Sequence, residues 1–217
     1  MLFRTLRAIL RAVVLRFLKV EADGLEHLKE SGPLLLAGNH PTVVDGLLLA
    51  LLAPRKVRFV AAPELLEMVG LRHLLRWLGA IPAGPDAVQH AVDALEAGDV
   101  VLIFPEGKTS QGERILPFRT GAERIAGQSG VPITPFALDG TQHVYPEGAW
   151  IARPARVTVT IGSPVNDHLQ QAVEALWSPR PVQRHRTVTS ALVVPFSLTI
   201  TLLHKTKAAR KLVKRLR

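Results

Sequence analysis

Short apolar runs alternate with amphipathic segments along most of this chain. The runs predict strands near Lys19–Ala22, Leu34–Gly38, Val57–Ala61, Asp99–Phe104, Ile133–Leu138 and Arg156–Ile161, because brief hydrophobic stretches between turn signals suit buried strands. Apolar residues recurring at helical spacing predict helices over Thr42–Leu52, Leu71–Leu78, Asp86–Ala97, Thr120–Gln128 and Asp167–Leu176. Strands interleaved with helices predict an α/β fold, a mixed and mostly parallel sheet covered by helices. The 217 residues hold one such domain with terminal additions.

Both ends break this rhythm. Over Met1–Val20 the residues Leu2, Leu6, Ile9, Leu10, Val13, Phe17 and Val20 fall on one side of a helical wheel, with Arg4, Arg7, Arg11 and Lys19 on the other. Recurring arginines interrupt any secretory core, so the stretch reads as an amphipathic helix suited to a bilayer surface, or as a helix packed on the body. At the other end, Thr187–Leu203 carries no charge and His204–Arg217 is basic. Pro195 and the threonines favour a strand pair or a surface-bound segment there over a spanning helix. A shift in composition at Ser178 sets the boundaries: residues 1–20 a membrane-associating helix, 21–178 the catalytic-size domain, 179–217 an apolar then basic extension.

Charge sharpens that division. The chain holds 27 Lys and Arg against 18 Asp and Glu, a net +9, yet residues 21–179 are net −6 and the excess sits at the two acid-free ends. An acidic body, with no Phe, Trp or Tyr in the basic tail, argues against nucleic acid as a partner and leaves anionic lipid headgroups as the match for the ends. There is no cysteine, which removes disulfides, thiolate metal sites and thiol nucleophiles. His73, His90, His143 and His168 are scattered without metal-ligand spacing, so no metal is expected.

Candidate chemistry gathers where the second predicted strand ends, in Gly38-Asn39-His40-Pro41-Thr42-Val43-Val44-Asp45-Gly46. Pro41 keeps His40 extended and suits the first turn of the next helix, so His40 belongs at the strand's carboxyl edge. With His40 outside the helix and Asp45 one turn inside it, the carboxylate reaches back to the imidazole, the pairing a general base needs. The other reading is a loop histidine beside a helix-cap acid. A second block, Phe104-Pro105-Glu106-Gly107-Lys108-Thr109-Ser110, follows another apolar strand. Its carboxylate, cation, hydroxyls and small Gly107 suit a phosphate or polar headgroup, or else form a tight turn with a surface Glu.

Together these segments resemble the glycerolipid acyltransferase family, typified by 1-acyl-glycerol-3-phosphate (lysophosphatidic acid) acyltransferase. His40 and Asp45 match that family's His and Asp pair, Phe104–Gly107 its Phe-Pro-Glu-Gly block, and Phe118–Ala122 and Val131–Pro135 two further blocks in the same order. The resemblance covers about residues 20–177. It implies transfer of a fatty acyl group from acyl-CoA or acyl-carrier protein, used as co-substrate without a cofactor, to a hydroxyl of a lysophospholipid. It further implies His40 and Asp45 as catalytic residues, Glu106, Gly107, Lys108, Thr109, Ser110 and Arg119 as substrate-binding residues, and a peripheral place on the cytoplasmic face of the cell membrane.

The sequence departs from the family pattern after Gly79-Ala80-Ile81-Pro82, where no Arg follows, at Thr109 in place of a frequent Arg, and at Ala62-Pro63 in place of a usual Lys. The resemblance therefore carries the reaction class further than the identity of the acceptor. An inactive lipid-binding module of the same fold, or a thioester or ester hydrolase, are the alternatives; no Gly-x-Ser-x-Gly elbow supports the hydrolase.

Overall fold

The computed structural model describes residues 2–28, 31–67, 71–144, 146 and 152–179. The predicted features of Thr187–Leu203 and the basic tail lie outside the described residues. Seven strands form one sheet: β1 (Lys19–Asp23), β2 (Leu34–Gly38), β3 (Val57–Ala61), β4 (Ile81–Pro82), β5 (Val100–Ile103), β6 (Ile133–Asp139) and β7 (Arg156–Ile161), in the order β1-β7-β6-β2-β5-β3-β4. All neighbours run parallel except β6 and β7. The α/β architecture expected from the alternating pattern is thus the one observed.

The described helices are α1 (Leu2–Phe17), α2 (Asp45–Leu52), α3 (Pro63–Leu66), α4 (Leu71–Leu78), α5 (Ala87–Glu96), α6 (Gly121–Ser129), α7 (Thr141–Val144) and α8 (Leu169–Leu176). They form two layers. Leu48, Leu49 and Leu52 of α2 and Leu75 of α4 join the Phe59 and Phe136 face of the sheet, with Val14, Leu15 and Phe17 of α1 packed against them. Ala91 and Leu95 of α5, Ile125 of α6 and Val173 of α8 cover the opposite face, which carries Leu35, Val101 and Ile133. The central strands read as nearly continuous apolar runs because both their faces are covered in this way.

Where boundaries differ from the sequence reading, local chemistry explains it. The helix expected from Thr42 starts at Asp45, because the Asp45 carboxylate turns back to accept the Thr42 backbone N–H and hydroxyl and holds Thr42–Val44 as a turn. The helix expected from Asp167 starts at Leu169, since His168 is left-handed at φ +53°. β4 has two residues and includes Pro82, which a sheet accepts at its edge. α3, α7 and the 3₁₀ turn Leu25–Leu28 are single turns with no amphipathic period to detect.

Of the apolar side expected from the helical wheel, Phe17 and Val20 pack against the core together with Val14 and Leu15, whereas Val13 is 45% exposed.

Candidate active site

Parallel pairing of β2 with β5 sets the two sequence blocks side by side. Leu34 to Ala37 register against Val100 to Ile103, so the chain leaves both strands at the same carboxyl edge, the edge at which open α/β sheets bind ligands. His40 stands two residues past β2 and Phe104–Glu106 directly past β5. On the other side of β2, Asn39 is buried and clasps β6: its Nδ2 donates to the Leu138 carbonyl at 2.8 Å, and the Leu138 N–H donates to its Oδ1 at 2.7 Å. That side-chain rung extends the ladder beyond the Gly38 and Phe136 pair.

The His40 ring is fixed by several contacts. Its Nδ1 lies 2.9 Å from Asp45 Oδ2, and Asp45 is fully buried. Facing a carboxylate, Nδ1 carries the proton, which leaves a lone pair on Nε2; Nε2 has no protein partner among the described residues. Asp45 is itself held, since Oδ2 also accepts the Thr42 N–H at 2.7 Å and Oδ1 the Thr42 hydroxyl at 3.0 Å. The imidazole stacks on Phe104 with centroids 3.9 Å apart and planes 16° from parallel, and Phe104 stands edge-on to Phe136 at 5.8 Å. Gly38 permits this arrangement, because a Cβ there would lie 2.1 Å from the Phe136 carbonyl oxygen and 2.6 Å from its ring.

The backbone of His40 is tied as firmly. Its N–H donates to Glu106 Oε1 at 2.7 Å, and its carbonyl accepts the Ser110 N–H at 2.8 Å. The Gln111 N–H donates to the Pro41 carbonyl at 3.0 Å. Glu106 is 3% exposed, and its second oxygen accepts the Leu116 N–H at 3.1 Å, so both oxygens are engaged by the protein's own backbone. Burial raises this carboxyl above its ordinary value of 4.5, opposed by the His40 and Leu116 N–H donors.

The remaining expected residues surround this tie. Gly107 has φ +68°, a conformation glycine adopts without strain, and a Cβ on it would lie 2.9 Å from Arg119 Cζ. Arg119 is exposed, and its N–H donates to the Pro105 carbonyl at 2.9 Å, which anchors it over the Glu106 turn. Lys108 is half-buried and Thr109 buried, while the Ser110 hydroxyl lies 3.4 Å from both the His40 carbonyl oxygen and the Gly112 nitrogen. The Val131–Pro135 block sits elsewhere: Ile133, Thr134 and Pro135 are buried in β6 beside Leu35–Ala37, where they pack the central strand.

Sequence reasoning named His40, Asp45 and Glu106 but gave no role to Asn39, Thr42, Phe104 or the Leu116 amide. Asn39 and Thr42 stand inside the quoted block, yet a buried side-chain rung and a back-reaching carboxylate have no sequence signature of their own. Among the described residues, no group of three or more His, Cys, Asp or Glu side chains gathers as a metal site would require.

Comparison with known proteins places the same region in one family. The family described as Acyltransferase matches residues 19–139. A 1-acyl-sn-glycerol-3-phosphate acyltransferase of Limnanthes alba is 32% identical over 155 residues, covering 68% of this chain and 54% of that protein. The 1-acyl-sn-glycerol-3-phosphate acyltransferase alpha of Mus musculus is 30% identical over 168 residues, covering 73% and 59%. The crystal structure of the 1-acyl-sn-glycerophosphate (LPA) acyltransferase PlsC from Thermotoga maritima has a TM-score of 0.63 at 25% identity and covers 81% of this chain and 84% of that one. The chain spans about half the length of the first of these curated relatives. Since the matched segment runs from β1 through β6 and contains the His40, Asp45 and Glu106 motifs in their paired geometry, the chain belongs to the acyltransferase family.

Proposed function

We propose that this protein transfers a fatty acyl group from an acyl thioester, acyl-CoA or acyl-carrier protein, to a hydroxyl of a lysophospholipid such as 1-acyl-glycerol-3-phosphate. The observation that carries this reading is the 2.9 Å contact between His40 Nδ1 and the buried Asp45 carboxylate, in a chain of this family. His40 Nε2 takes the acceptor hydroxyl's proton as the oxygen attacks the thioester carbonyl. The carbon–sulfur bond then breaks, and the imidazolium returns its proton to the departing thiolate. Asp45 holds the tautomer and stabilises the imidazolium. No covalent acyl-enzyme and no cofactor is needed.

Gly107, Lys108 and Arg119 receive the polar head of the acceptor, with Lys108 and Arg119 supplying charge for a phosphate. Glu106, Thr109 and Ser110 shape the same turn, Glu106 and Ser110 through the His40 backbone. Acceptor and product both reside in a bilayer, and a peripheral position on the cytoplasmic face, with α1 against the headgroups, delivers them to His40. Among the described residues no helix is long and apolar enough to cross a membrane.

The test is thiol release from acyl-CoA and acyl-carrier protein with and without a panel of lysolipids, with products identified by mass spectrometry. Acceptor-dependent release with a new diacyl lipid is the expected result. Release independent of acceptor would mean a hydrolase, and no release with either donor would mean an inactive lipid-binding module.

A further inference from the structure

The two helical layers differ in charge. On one face of the sheet, α1 and α4 contain six arginines and no acid. On the other, α5, α6 and α8 contain Asp93, Glu96, Glu123 and Glu174 against one arginine, Arg124, and no lysine. Glu26, Glu64 and Glu67 of the first side stand in the connecting 3₁₀ turn and the α3 segment, outside both basic helices.

Exposed apolar residues follow the same division. Among the described residues the large exposed hydrophobics are Val13 at 45%, Val43 at 41% and Trp77 at 36%. Val13 is on α1, Val43 in the turn between His40 and α2, and Trp77 on α4, all elements of the basic layer. On α4, Arg72, His73, Arg76 and Trp77 are exposed while Leu75 is buried against the core. Among its described side chains, α4 sets a buried leucine against two outward arginines and an outward indole, which combines cations for phosphate headgroups with the aromatic suited to the membrane–water boundary.

We propose that α4 is a second lipid-contacting element, so that the protein rests on an anionic bilayer through the α1, α2 and α4 side, with the acidic α5, α6 and α8 layer turned to water. This rests on the reading of the chain as an enzyme of bilayer lipids and names the surface that faces them. The orientation turns Val43, three residues from His40, toward the lipid, so an acceptor reaches Nε2 without leaving the interface. Like charges on the far layer oppose the inverted placement.

Co-sedimentation of the full chain with phosphatidylcholine vesicles containing phosphatidylglycerol tests this. Arg72→Ala with Arg76→Ala should weaken binding by roughly 25-fold, from about a fivefold contribution per arginine at an anionic surface. Arg124→Glu removes the same net charge from the opposite layer and should leave binding within about twofold of wild type. Equal weakening by both, or none by the double variant, would overturn the proposal. As a second readout, brominated-lipid vesicles should quench wild-type fluorescence more than that of Trp77→Phe; equal quenching would also overturn it. Acyl transfer to detergent-dispersed acceptor should be the same in the double variant and wild type. That arm reports the transferase reading separately, and wild type failing to bind any anionic vesicle would remove membrane docking and the α4 contact together.

Discussion

Glu106 accepts the backbone N–H of His40 at 2.7 Å across 66 residues of sequence. The bond joins the two motifs through main chain, so the carboxylate sets where the His40 backbone stands. A carboxylate accepts at both oxygens, whereas an amide accepts at one and presents N–H₂ to the other donor. Glu106→Gln should therefore cost about 1–3 kcal/mol of stability and lower kcat more than it raises KM, measured by thermal unfolding and steady-state kinetics. An undiminished kcat in Glu106→Gln would contradict the positioning role.

The raised pKa of Glu106 has a definite sign in stability. With the folded value above the unfolded one, the favourable contribution is complete below about pH 4.5 and is lost as pH rises through the raised folded value. Glu106→Gln does not titrate. The stability gap between wild type and Glu106→Gln should accordingly be largest in acid and narrow toward neutrality, as read from urea midpoints across pH. A gap that widens with pH would reverse the assignment.

Asp45→Asn should leave a folded protein with kcat reduced on the order of 10⁴, as expected when a general base is left in the wrong tautomer. The carboxamide presents N–H₂ where the carboxylate now accepts from His40 and Thr42. Thr42→Ser keeps the hydroxyl donor and should retain most activity. Similar losses in both variants would mean that the turn, not the His40–Asp45 hydrogen bond, controls the rate.

Gly107→Ala should destabilise the turn by about 1 kcal/mol, the penalty of a Cβ in the left-handed region, and push Arg119 from its place over Gly107. Its effect on kinetics should fall on acceptor KM.

Arg119→Ala should raise KM for a phosphorylated acceptor roughly tenfold with little change in kcat, the scale of one charge-assisted hydrogen bond. An acceptor lacking phosphate should show no such change. Equal effects on both acceptors would move the phosphate contact to Lys108.

Much of this site was legible from sequence because its parts are local. The Pro41 restriction puts His40 outside the next helix within reach of Asp45, and the structure closes that pair at 2.9 Å, although Asp45, expected one turn inside the helix, is its first residue. β2, β3 and β7 have the bounds that their apolar runs predict. What was not legible depends on pairing across the sheet. That Glu106 holds His40 follows from β5 lying beside β2, and that Phe104 supports the ring follows from Gly38 admitting Phe136; neither is encoded in the spacing of a single segment. The late start of α2 was hidden for a related reason, since Asp45 serves both as helix residue and as acceptor for the turn before it.

The most direct test compares acyl transfer from labelled acyl-CoA or acyl-carrier protein to lysophosphatidate by wild type and by His40→Ala, with circular dichroism to establish that both are folded. The account predicts acceptor-dependent diacyl product with wild type and a loss of about 10²–10⁴-fold or more in His40→Ala. Product formation by folded His40→Ala within a few-fold of wild type would contradict it.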